Sequence, residues 1–410
     1  MAKLSTPFPV SGDAAEDASR LLQRLGYVVL ALGAPCAEAL SSRAIFLFFP
    51  IGMALLLVAA MLNPPPGVTD RLDRALKSPL ALVGVGLMAW ATLSLAWTPF
   101  PVEAIEHLFK LGGTALVVVV ALACSYEHMR ATDLYLFPIG VVLSMVAILA
   151  LALAEHSGGA PYADRIDRTG VGLVILLWPA MAGLAARGRN GLARLLMILA
   201  AAFVFAIGAP VPAAALFVGV LTLSFAISDL RRTVVDLSLL AAGIVLLSPL
   251  APAVAPALSR WFFSVKLSNL GGPFTPLAGA AELLLHAPLR LFTGHGMDTS
   301  IRVVETGLAP GSVPRVALFE LWYELGVVGA MLGAALAFLG FRAVGPTGVR
   351  IAPFLIAAFA CDLTMAFLSE DFSQMSWVTL LAVSAISAGA AARSQYRTRR
   401  PAAGTAQPSL

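Results

Sequence analysis

Apolar runs long enough to cross a bilayer recur along the whole chain, separated by short polar or Pro/Gly connections. A spanning helix takes about 20 mostly apolar residues. On that measure about twelve spans fall at 26–40, 43–62, 79–97, 103–124, 133–154, 169–186, 192–208, 211–228, 233–250, 317–341, 351–369 and 374–392. The first is short and carries Pro35 and Glu38, and the GAPVP turn at Gly208 to Pro212 separates two others. Between the ninth and tenth spans lies a polar stretch, 251–316, that is long for a connection within a compact bundle. Inside it, SRWFFSVKL and PLAGAAELLLHAPL have the pattern of segments that lie on a membrane surface. The pattern predicts an all-α polytopic membrane protein with a cytoplasmic tail over 1–25, nine helices over 26–250, a loop over 251–316 and three helices over 317–394. A basic, Pro/Ala/Gly-rich tail over 395–410 is expected to be disordered.

Composition removes the soluble alternatives. Of 410 residues, 59% are hydrophobic and 12% charged, with mean hydropathy +0.88. The polar stretch from Met1 to Arg24 lacks the apolar core of a cleavable signal. No fixed-period repeat and no inverted pair of broken helices is visible. Basic residues set the orientation: with both termini inside, Arg71, Arg74, Lys77, Arg187, Arg189, Arg194, Arg231, Arg232, Arg342 and Arg350 are cytoplasmic. The 251–316 loop then faces outward, which in a bacterium with two membranes is the periplasmic face of the inner membrane. That bias absorbs most of the formal charge of +4, and nucleic acid is not indicated as a partner. Cys36, Cys124 and Cys361 sit in or at the ends of apolar segments without metal-ligand spacing and are expected to pack.

Candidate chemistry gathers late in the chain, where PLRLFTGHGMDTSIR leads toward ALFELWYELGVVGA. The loop holds Arg260, Lys266, Arg290, Arg302 and Arg315 against Glu282, Asp298 and Glu305. Planar guanidinium groups suit phosphate and pyrophosphate; contacts with lipid headgroups or neighbouring acids are the plainer explanation. Arg165 and Arg168 lie in a shorter outer loop, PYADRIDRTGVG, with Arg168 at the mouth of a helix. His295 lies between two glycines that allow a sharp turn and close approach, so it is a candidate general base or a simple turn residue. His286, on an apolar face, is expected to pack or to lie at the membrane interface. Glu320 and Glu324 are one turn apart on a helix with Trp322 and Tyr323, able to orient a catalytic partner or to pair with Arg315. Full-depth burial of such a charge costs about 2.5–3.5 kcal/mol. Gly329 and Gly333 have the spacing of close helix packing. Glu106 and Lys110 are a pair expected to neutralise each other inside the bundle. Glu370 and Asp371 form an outward acidic pair suited to an acceptor.

The order of these features resembles the O-antigen ligase and polymerase superfamily. RTGVGLVILLWPAMAGLA from Arg168, LFTGHG from Leu291 and LFELWYELGVVGA from Leu318 carry the likeness, the last most specifically. The resemblance implies transfer of a glycan from undecaprenyl pyrophosphate to a lipid A-core or other glycan acceptor, at the periplasmic face, without metal or other cofactor. It implies that Arg168, Arg290 and Arg302 hold the pyrophosphate and that a base lies near the ELWYELG helix. Where the family carries a histidine-rich HPHN-like stretch, this chain has VPRV over Val313 to Val316, and a Ser-Arg pair near the eighth span is also missing. Either His295 serves as the base with Arg315 beside the leaving group and Glu320 in support, or the fold persists with a changed reaction. A polymerase of lipid-linked repeat units and a permease for a lipid-linked or small solute are the alternatives.

Overall fold

A computed structural model of the chain describes residues 14–41, 43–65, 67–124, 133–154, 160–250, 290–300, 302, 316–369 and 374–394, with the backbone alone at 40, 151–154, 160–168, 250 and 394. The described residues form helices and turns without a strand: α1 Ala14–Val28, a π segment Val29–Gly33, α2 Ala34–Leu40, α3 Ile45–Leu62, α4 Val68–Leu76, α5 Pro79–Ser94, α6 Pro101–Cys124, α7 Leu136–Ala154, α8 Ala160–Ala186, α9 Asn190–Ile207, α10 Pro210–Ser228, α11 Leu230–Leu247, α12 Arg290–Thr293, α13 Ala317–Val344, α14 Ala352–Leu368 and α15 Met375–Ser394. Eight of these helices, α3, α6 to α10, α13 and α15, are long and apolar enough to cross a membrane. The α4 and α5 pair, bent by 60°, makes a ninth if counted as one span. The several apolar helices make this a multi-pass membrane protein. Three other expected spans take different forms. The 26–40 segment continues α1 through the π segment, 233–250 falls on α11 with Arg231, Arg232 and Asp236 in its first turns, and 351–369 falls on the 17-residue α14.

The bundle is built around α8. Its apolar residues lie on every side rather than in one stripe, which suits a helix enclosed by others as well as one facing lipid. From Thr169 to Ala186 the whole segment is buried, with Trp178 fully enclosed. Around it pack α7, α9, α10, α14 and α15. Pro179 removes the amide that would bond the Ile175 carbonyl, and Ser384 Oγ of α15 approaches that carbonyl at 3.5 Å. A second set, α5, α11 and α13, forms the flank that carries the candidate site.

Three expectations change at this level. Residues 14–25, read as tail, are helical: Ser19 Oγ donates to the Ala59 carbonyl at 2.7 Å, and Gly26 and Gly52 let α1 and α3 close on each other. PYADRIDR is not a loop, because α8 already begins at Ala160; Arg168 therefore stands within a helix, not at its mouth. Lys110 reaches Glu106 at 2.5 Å, but both side chains are more than half exposed on the outside of the bundle.

The packing can be tested at two glycines. A Cβ on Gly140 of α7 would overlap the Ala31 carbonyl in the π segment, whereas one on Gly243 of α11 meets nothing within 4 Å. Gly140→Ala is expected to destabilise the protein in detergent by about 1–3 kcal/mol. Gly243→Ala is expected to be neutral or stabilising by about 0.5–1 kcal/mol. Equal melting temperatures for the two variants would contradict the packing of α7 on the π segment.

Candidate functional site

The site begins with a broken helix. In the first half of α13 the backbone leaves helical geometry at Gly326, with φ 64° and ψ −161°, a conformation open to glycine and costly to any residue with a Cβ. The carbonyls of Tyr323, Glu324 and Leu325 then accept bonds from outside their own helix. His295 N–H donates to Tyr323 O at 2.9 Å, Gly296 N–H to Glu324 O at 3.0 Å, and Trp90 Nε1–H of α5 to Leu325 O at 2.9 Å. The FTGHG turn after α12 is thus laid against the break. Closeness demands glycine on both sides: a Cβ on Gly326 would sit 2.5 Å from Phe292 O, and one on Gly294 would overlap the Glu324 carbonyl. Gly329, expected to pack helix on helix, instead makes room for Leu325 across the break, while Gly333 faces Leu321 and Val245.

The far edge of the same turn rests on the end of α5. Thr98 Oγ1 donates to Met297 O at 2.8 Å, and Met297 N–H donates to Ser94 Oγ at 3.2 Å. Thr299 Oγ1 closes the turn on Gly296 O at 2.7 Å. Asp298 adopts φ 65°, unusual for a residue with a side chain. Its buried carboxylate explains the strain: Oδ2 accepts from Arg302 Nε at 2.9 Å and Oδ1 lies 3.3 Å from His107 Nδ1 of α6. Burial works against the charge, but His107 and Arg302 outweigh it and hold Asp298 below the usual carboxylate range. Arg302 also lies 3.9 Å from Glu103. Deeper, Glu324 Oε1 accepts from Ser300 Oγ at 2.7 Å and from Ser300 N–H at 3.2 Å. Glu320 is buried one turn before it.

His295 is partly buried, its ring stacked on Tyr323 with centroids 4.1 Å apart and planes within 8°. Nδ1 lies 3.0 Å from the Tyr323 carbonyl. A carbonyl only accepts, so Nδ1 carries the hydrogen and the neutral ring keeps its lone pair on Nε2. Burial, with the positive charge of Arg290 adding to it, pushes the imidazole below its ordinary value against the opposing Tyr323 carbonyl. The neutral, proton-accepting form is therefore favoured near neutral pH.

Of the residues singled out in the sequence, His295, Glu320 and Arg302 come together here, and Arg290 stands exposed at the start of α12. The side chain of Arg168, and all of Arg315, Glu370 and Asp371, lie outside the described residues, as do SRWFFSVKL and PLAGAAELLLHAPL. His107, Ser300, Trp90, Ser94 and Thr98 were not anticipated. A signal for His107 existed, since Glu103 and His107 are four apart at the polar start of a helix whose remainder is apolar. Among the described residues no group of three or more His, Cys, Asp or Glu side chains could hold a metal ion.

Two predictions follow from this geometry. Gly326→Ala is expected to cost about 1–3 kcal/mol or more and lower the melting temperature, because strain and overlap with Phe292 add; an unchanged melting temperature would contradict the break. The His295 imidazole is expected to titrate below about 6.5 by NMR, and Arg290→Ala to move it upward. Since folding depresses this group, docking of the turn holds above its ordinary value and weakens as pH falls through the lowered one. Asp298, also depressed, stays ionised over that window. A midpoint at or above the ordinary histidine value would contradict the buried, carbonyl-bound ring.

No protein-family model, no curated protein and no solved structure matches the chain.

Proposed function

We propose that this protein is a metal-independent glycosyltransferase of the O-antigen ligase type, with about twelve spans in a bacterial inner membrane and both termini cytoplasmic. It moves a glycan from undecaprenyl pyrophosphate to a lipid A-core or other glycan acceptor at the periplasmic face. One observation carries this reading above the rest: a polar cluster stands directly above an apolar groove along a single stripe of α6. Glu103, His107, Lys110, Thr114 and Val117 recur at helical spacing on one face. The first two meet Arg302 and Asp298. The last three line a groove of about 620 Å³ with Phe46, Phe49 and Met53 of α3 and Met375 and Thr379 of α15. A substrate with a charged head and a long apolar tail requires that order of surfaces.

In this mechanism His295 Nε2 takes the proton of the acceptor hydroxyl as its oxygen bonds to the anomeric carbon. The bond from that carbon to the pyrophosphate oxygen breaks, and the carrier leaves as lipid pyrophosphate. Arg302, with Arg290, Arg168 and Arg315, meets the charge that develops on the leaving oxygens. Glu320 and Glu324 fix the helix face on which the imidazole rests, and Glu370 and Asp371 are assigned to the acceptor sugar. A positioned base of this kind contributes about 10²–10⁴-fold.

The test is transfer of a labelled glycan from its undecaprenyl pyrophosphate carrier by the purified chain in lipid. Native protein is expected to transfer, His295→Ala to lose about 10²–10⁴-fold in kcat, and Val117→Trp to raise KM for the lipid-linked donor with kcat little changed. Growth of the lipid-linked glycan itself would assign the polymerase reaction. Passage of carrier or solute across the bilayer with no transfer to any acceptor would replace the enzyme with a permease.

A further inference from the structure

At the end of the bundle opposite the polar cluster, the last turn of α8, the first turns of α9, the last turns of α10 and the 349–354 segment enclose a groove of about 830 Å³. That volume is within the range of about 300–1,000 Å³ found for small-molecule sites. Its walls are apolar, with Met197, Ile198, Ile227 and Val349 among them, and Ile198, Ile227 and Val349 are also well exposed on the outside of the bundle. The groove therefore opens onto the surface that faces lipid. Arg194 and Arg350 stand in its lining with no acidic residue beside them. Neither makes a hydrogen bond or ion pair with any described residue, whereas the neighbouring Arg187 and Arg189 engage Tyr135.

A soluble anion would satisfy the arginines and leave the apolar walls wet. A neutral lipid would cover the walls and leave two cations beside hydrocarbon without counter-charge. A molecule with an acyl chain and an anionic head does both. We propose that this groove binds one anionic phospholipid of the cytoplasmic leaflet, its phosphate between Arg194 and Arg350 and an acyl chain along Met197, Ile198 and Ile227. The site is separate from the transfer chemistry and rests on the chain spanning a membrane with this end of the bundle at the cytoplasmic side. The lipid fills the space where α8, α9, α10 and the start of α14 diverge, and ties those ends together.

Native mass spectrometry of the full chain in detergent, titrated with phosphatidylglycerol or phosphatidylcholine, reads this directly. Native protein is expected to hold one phosphatidylglycerol more tightly than phosphatidylcholine. Each arginine changed to alanine, Arg194→Ala and Arg350→Ala, is expected to weaken that lipid about fivefold, which corresponds to about 1 kcal/mol per basic residue at an anionic surface. The paired lysine substitutions should restore most of it. Arg231→Ala with Arg232→Ala, at a turn that does not line the groove, should leave it unchanged. Equal retention of the two lipids by native protein, equal phosphatidylglycerol binding by the double alanine variant, or displacement of the lipid by excess inorganic phosphate would each overturn the proposal.

Discussion

A break in a membrane helix persists only where other groups satisfy the carbonyls it frees. Water is absent from the hydrocarbon core, and each unsatisfied backbone group there costs several kcal/mol. The break at Gly326 meets this condition through the His295 and Gly296 amides and the Trp90 indole, which serve Tyr323, Glu324 and Leu325 in turn. Those bonds seat the FTGHG turn, and the turn in turn sets the positions of His295, Asp298 and Ser300. Without the break there is no docking edge. Without glycine at 294, 296 and 326 the two backbones could not approach, since a Cβ at Gly296 would lie 2.6 Å from Thr98 Cα and those at the other two would meet the opposing chain.

Charge at that seat is paired around Asp298, while the buried Glu324 is bonded by the hydroxyl and amide of Ser300. Asp298 is shared by His107 and Arg302, and Arg302 reaches on to Glu103, which joins α6 to the turn through side chains alone. Removing His107 or Arg302 leaves the buried Asp298 carboxylate undercompensated, so the network holds α6 to the turn. For the proposed transfer it offers an imidazole with a defined tautomer, an arginine held by acids, and an apolar groove one turn further along α6. The two ends of the bundle thus differ in kind. One presents a cluster of both signs under a backbone seat, the other an apolar groove edged by arginines alone.

Much of the helical frame was legible in the chain. The span expected at 169–186 is there, and it becomes the axis of the bundle, although nothing in its pattern told it apart from spans that face lipid. The GHG turn and the Glu320/Glu324 helix were marked as belonging together, and they do meet. What escaped was pairing between distant residues. His107 and Asp298 are 191 positions apart, Trp90 and Leu325 are 235 apart, and no local periodicity encodes either contact. Gly329 and Gly333 read as small residues for helix packing, whereas Gly329 gives space to Leu325 and the break itself rests on the backbone freedom of Gly326, which the spacing does not reveal. The polar stretches around Glu16 and Asp164 looked like tail and loop because helices that run past the membrane lose their apolar signature there.

The seating of the turn is most directly read from amide hydrogen exchange of His295 and Gly296 in the native chain held in lipid nanodiscs. Both N–H groups are bonded to carbonyls of α13 within a buried edge, so their exchange is expected to be as slow as that of amides in the packed helices. Exchange at the rate of an open, glycine-rich loop would mean that the turn is not docked on the break, and the site built on it would not exist.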